Sequence, residues 1–235
     1  MRPSSKVKYG LIGTAALFTS ATQAHVSVVS STAYANSYYQ VILSIPHGCD
    51  GADTERVEVE IPSTMVSVKP LIDFNSANIP VGIEAEQVNG EVSKLIFNRD
   101  NAAETDNTIY TVSFRGKLSD APFTTQYFPT TQYCVGGGVA AWTGTNGGHN
   151  HDSSAESTEL PAPSVFVYPT RHLGWNQYTA PDHLHDMGIF KDAEIVWKGG
   201  AGYSANPVTM ELIEADEDSS SLSEIHPDES FWVKY

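Results

Sequence analysis

Apolar and polar residues alternate over short stretches in the first two thirds of the chain. "YYQVILSIP" (38–46), "RVEVEIP" (56–62), "VSKLIFN" (92–98) and "YTVSFRG" (110–116) each alternate or run apolar for five to eight residues. Such runs, bounded by proline, glycine or polar clusters, predict β-strands. "VNGEV" (88–92) predicts a two-residue hairpin turn centred on Asn89-Gly90. Strands recurring at short intervals predict an antiparallel β-sandwich over residues 25 to about 168, with "LPAPSVFVYP" (160–169) as its closing strand.

From about residue 169 the character changes. Residues 169–235 hold three of the four tryptophans and four of the eight histidines. "AEIVWKG" (193–199) and "ESFWVKY" (229–235) predict strands, and "NPVTMELIEAD" (206–216) a short helix. The fold class is therefore all-β, a sandwich with a C-terminal extension or small second module.

The first 24 residues form a different pattern. Arg2, Lys6 and Lys8 precede the apolar "YGLIGTAALFTS", and Thr22-Gln23-Ala24 offers small residues for cleavage. This predicts a secretory signal and an exported protein, periplasmic or extracellular. The apolar run is short of the ~20 residues that span a bilayer. Cleavage would take the formal charge from −15 to −18, since the segment carries three basic residues and no acidic one. So acidic a surface repels nucleic acid and concentrates cations. The two cysteines, Cys49 and Cys134, predict one structural disulfide in an oxidising compartment; a pair of thiolate copper ligands is the rival reading.

Cleavage after Ala24 would make His25 the first residue of the mature chain. Its α-amine and ring Nδ1 could then chelate one ion, an arrangement suited to Cu(II), which favours tetragonal nitrogen and oxygen fields. The free amine loses its proton to a metal readily, its ordinary pKa being about 7.7–8.0.

The stretches "VILSIPHGCDGADTERVEVEIPSTMVSVKP" (41–70) and "TVSFRGKLSDAPFTTQYFPTTQYCVGGGVAAWTG" (111–144) resemble the YcnI-like copper-binding domain. "PHGCDG", "YFPTTQYC", "AAWTG" and the "PAP" at 161–163 follow that family's pattern, over residues 25 to about 168. The resemblance implies an immunoglobulin-like sandwich, exported from a bacterium, that handles copper without being an enzyme. It implies a single-histidine brace at His25, with Trp142 beside the metal, and the pairing Cys49–Cys134. A membrane copper transporter or copper-delivery protein is the implied partner. Two features depart from the pattern. Thr111 stands where the family's carboxylate is expected near the metal, and "LIDFNSANIP" (71–80) replaces the usual "PGW". Glu104, Asp106 or a histidine of the 149–151 loop are the substitutes that spacing leaves open.

Two further histidine pairs are candidate secondary ligands. "HNHD" (149–152) places His149 and His151 in a Gly/Ser-rich loop. "DHLHDM" (182–187) places His183 and His185 two residues apart, facing one way if extended, with the thioether of Met187 close by. His47 reads as structural, in a turn beside the disulfide. His172 and His226 are isolated and receive no role. No Ser/His/Asp signature, paired CxxC or phosphate-binding loop is present, and "VGGGV" (135–139) lacks a strand–turn–helix setting.

The leading expectation is an exported Cu(II) chaperone or buffer whose site does not depend on residues 169–235. The alternatives are a histidine-brace copper monooxygenase acting on polysaccharide, and an adhesion or partner-binding module using the aromatic C-terminal segment.

Overall fold

The computed structural model describes residues 25–46, 49–72, 81–100, 102, 108–145 and 160–235. The predicted signal segment, His47, Glu104, Asp106, His149 and His151 lie outside them.

The alternation read from the sequence becomes two facing sheets. One contains Ser27–Val28, Tyr38–Ile45, Tyr110–Leu118 and Met65–Pro70; the other runs Leu160–Pro161, Gly138–Gly144, Thr130–Cys134, Thr54–Glu60, Glu91–Arg99 and Val81–Val88. Within Tyr38–Ile45, Tyr39, Val41, Leu43 and Ile45 are buried while Tyr38 and Gln40 are exposed. The inward residues meet Val57, Val59, Leu95, Phe97 and Trp142 of the opposite sheet in one core. Phe114 and Phe128 meet T-shaped at its centre, ring centroids 5.7 Å apart. Asn89 and Gly90 both take positive φ, 54° and 85°, and Val88 pairs with Glu91 across them. That is the geometry a two-residue primed turn requires.

Among the described residues, two carboxylates of the sandwich are buried, Asp53 and Glu58. Asp53 is 2% exposed and accepts from Arg99 Nη1 at 3.1 Å and Tyr110 Oη at 2.8 Å. A buried carboxylate so paired is satisfied, whereas alone it would be strongly destabilising. Cys49 and Cys134 are disulfide-bonded, Cα atoms 6.2 Å apart, tying the turn after Tyr38–Ile45 to the opposite sheet.

The C-terminal residues build a second core. Five strands, Trp175–Thr179, Ser230–Lys234, Ile195–Lys198, Ala201–Tyr203 and Ser220–Ser221, form one sheet, with the helix Pro207–Ala215 beside it. Asn206 caps that helix by accepting from Val208 N, and Pro207 opens it. Phe190, Val196, Ile225, Phe231 and Val233 are fully buried in this core together with Phe123. Phe123 precedes Thr125–Tyr127, a strand that joins Ser164–Tyr168 and Ala33–Tyr34 in a third small sheet of the sandwich. The segment is thus more than an appended tail: it packs on the sandwich through Phe123 and Phe166.

Candidate functional site

The chain enters the sandwich at Val26, which is 3% exposed and belongs to the first core. Ser27–Val28 then pairs with Leu43 and Ser44. This anchoring leaves His25 exposed at the rim, its ring T-shaped to Trp142 with centroids 5.3 Å apart. Trp142 lies on strand Gly138–Gly144, paired to Thr130 on one side and Leu160 on the other. Alternation along that strand turns Gly138, Ala140, Trp142 and Gly144 to the interior side, so the one large side chain fills the space beneath His25.

The result is a solvent-facing imidazole over a dry indole, since Trp142 is only 1% exposed. Its Nε1 is occluded and has no hydrogen-bond partner among the described residues. An unsatisfied buried donor costs about 1–3 kcal/mol, and such a group invites a functional account. Were the chain cleaved after Ala24, His25 would present an amine and a ring nitrogen to one ion, a donor pair suited to Cu(II). Among the described residues, no two further His, Cys or carboxylate side chains gather with His25 into a three-ligand group.

Thr111 is exposed on strand Tyr110–Leu118, opposite Ser44, which is itself opposite Ser27. At about 4.8 Å per strand, its backbone lies about 10 Å from that of Ser27. The three side chains form an outward row, on the face away from the core that holds Trp142.

The sequence-predicted pair His183 and His185 is brought together with two residues far along the chain. Leu184 and Ile225 form an isolated antiparallel bridge, with Leu184 N–Ile225 O at 2.9 Å and Ile225 N–Leu184 O at 3.1 Å. Both point into the second core, at 5% and 0% exposure. Their neighbours His183, His185, Glu224 and His226 therefore share the opposite face. Glu224 Oε2 lies 3.3 Å from His183 Nε2 and 3.5 Å from His185 Nδ1, while Oε1 lies 3.6 Å from His226 Nε2. The ring centroids of His183 and His185 are 3.7 Å apart, those of His183 and His226 4.4 Å. His226, isolated in the sequence, is thus a member of this group, and the only signal for it was the "EIH" spacing that mirrors "HLH". Met187 is not brought to the group: it is buried in the second core at the start of the turn Met187–Phe190. His172 is exposed, its carbonyl accepting from Asn176 Nδ2 at 2.7 Å.

Among the described residues no helix is long and apolar enough to cross a membrane. No curated protein matches the chain. Among solved structures, an uncharacterized protein from Nocardia farcinica, described as having an immunoglobulin-like fold, is similar at 19% identity and a TM-score of 0.49, over 61% of this chain and 98% of that one. A cohesin module of a Clostridium perfringens family 33 glycoside hydrolase is similar at 13% identity and a TM-score of 0.35, over 62% and 96%. The family model described as a domain of unknown function, DUF1775, matches residues 25–167, beginning at His25 itself. Over that span, which is the YcnI-like domain, the chain belongs to the DUF1775 family.

Proposed function

We propose that this is an exported copper-binding protein, a Cu(II) chaperone or buffer, that holds the ion at its mature N-terminus and is not an enzyme. The observation that carries this reading is the placement of His25: exposed, first in the family domain, and stacked T-shaped on buried Trp142. Cleavage after Ala24 supplies the amine, and His25 supplies the ring nitrogen. The indole gives the imidazole an apolar wall, which limits its rotamers and lowers the ordering cost of chelation. The acidic surface, −15 over the full sequence, raises the local cation concentration. The partner is a membrane copper transporter or a copper-delivery protein, which takes the ion from an open site without unfolding the sandwich.

The binding reading is preferred to the monooxygenase one because that chemistry needs a second imidazole at the same metal. Among the described residues, the other clustered histidines sit on the C-terminal bridge, gathered around Glu224. Electron paramagnetic resonance of the mature protein with one equivalent of Cu(II) tests the proposal. A two-nitrogen signal is expected in the mature protein and should be lost in His25→Ala, which keeps a terminal amine but removes the ring nitrogen; an unchanged spectrum in that variant overturns the assignment.

A further inference from the structure

We propose that His183, His185, His226 and Glu224 form a second metal site, on the C-terminal unit, for a divalent transition cation of the Zn2+ type. Three imidazoles and one carboxylate supply enough donors for a four-coordinate ion of this kind. His183, Glu224 and His226 each offer a ligand atom, and these atoms all lie within 4.8 Å of one another. A tetrahedral ion with bonds of 2.0–2.1 Å holds its ligands about 3.4 Å apart, close to the 3.3 and 3.5 Å from Glu224 Oε2 to His183 and His185 and to the 3.6 Å from Glu224 Oε1 to His226. His185, whose ring centroid lies 3.7 Å from that of His183, completes the set by side-chain rotation.

The backbone beneath is pinned by packing and hydrogen bonds. Both bridge residues are core residues, and the two bridge hydrogen bonds fix the register that puts all four side chains on one face. The turn after His226 is held by Glu229, which accepts from His226 N at 2.7 Å and pairs with Lys198 Nζ at 2.6 Å. The site is therefore positioned before an ion arrives, and little ordering cost remains for binding.

A metal-free hydrogen-bonded cluster is the rival explanation, and the contact lengths disfavour it. Charge-assisted N–H···O⁻ bonds run about 2.7–2.9 Å. The 3.3 Å from His183 Nε2 to Glu224 is longer, and this occluded nitrogen has no hydrogen-bond partner among the described residues. With Met187 in the core, the donor set is nitrogen and oxygen alone, which favours a divalent ion over Cu(I).

Zn2+ alone, added to the full mature protein, is the probe, because Cu2+ would also fill the N-terminal chelate. Calorimetry gives stoichiometry and affinity, and ¹⁵N-resolved imidazole spectra identify the rings that shift. One equivalent should bind with the signals of His183, His185 and His226 moving together. His183→Ala with His226→Ala should weaken binding by at least about tenfold for each ligand lost, while His25→Ala leaves it unchanged. The variant positions are half-buried or exposed, and an unchanged near-ultraviolet circular dichroism spectrum checks the fold. Binding that survives the double variant, or that disappears in His25→Ala, overturns this site; so does an absence of Zn2+ binding. The last two leave the Cu(II) reading at His25 to its own test.

Discussion

Phe123 meets Phe231 edge to face, ring centroids 5.4 Å apart, although one belongs to the sandwich and the other to the last strand of the chain. Phe190 and Tyr178 close on the same ring at 5.6 and 5.2 Å. A residue of the family domain is in this way the centre of the C-terminal core.

Phe123→Ala should therefore cost about 3–5 kcal/mol, the range for emptying a buried phenylalanine site, and should loosen the C-terminal unit first. Denaturant unfolding followed separately by tryptophan fluorescence and far-ultraviolet dichroism checks this. A loss below about 1 kcal/mol would mean that the contact contributes little. By the same argument, ending the chain after Tyr168 would expose Phe123 and Phe166. Point variants are the cleaner test of whether the C-terminal unit matters to copper.

The disulfide makes the second prediction. Cys49 and Cys134 are 85 residues apart, so on the chain-entropy model their bond stabilises by about 3–5 kcal/mol. Thiol labelling of the unreduced, denatured protein should find no free cysteine. Reduction should lower the unfolding midpoint; two labelled thiols before reduction would reopen the thiolate-ligand alternative.

Alkaline pH makes the third. Burial pushes the Tyr235 hydroxyl from its ordinary 10.0 to about 12; ionised Tyr178 adds to the rise, while Arg171, whose guanidinium stands 5.2 Å from the ring centroid, opposes it. The folded state thus keeps a proton that the unfolded chain releases. Its stabilising contribution is whole below pH 10 and is lost as the pH climbs from 10 towards 12. Tyrosinate absorbance should show a late-titrating group that Tyr235→Phe removes. Titration of all tyrosines near pH 10 would contradict the burial argument.

Much of this architecture was legible in the sequence, and the reasons differ from place to place. The strands were readable because their periodicity of two is a local property, and Asn89-Gly90 because positive φ at two successive residues favours few side chains. The helix at Pro207–Ala215 announced itself through Asn206 and Pro207. What was hidden depends on register across long separations. His226 looked solitary because the bridge Leu184↔Ile225 that carries it to His183 exists only once both chain segments pack on one core. Met187 stood beside the histidines in sequence, yet the chain turns at Asp186 and buries it. Phe123 carried no sign that its ring leaves the sandwich.

The central claim is that the amine and the ring of His25 hold Cu(II) together. It is tested most directly by adding a single residue before His25 in the mature protein and measuring Cu(II) affinity. The imidazole, Trp142 and the sandwich are untouched, but the amine becomes an amide and the chelate is broken. At about 1.4 kcal/mol per tenfold, loss of the chelate should weaken binding by two orders of magnitude or more. Unchanged affinity would show that the metal never used the amine, and that His25 is an ordinary surface histidine.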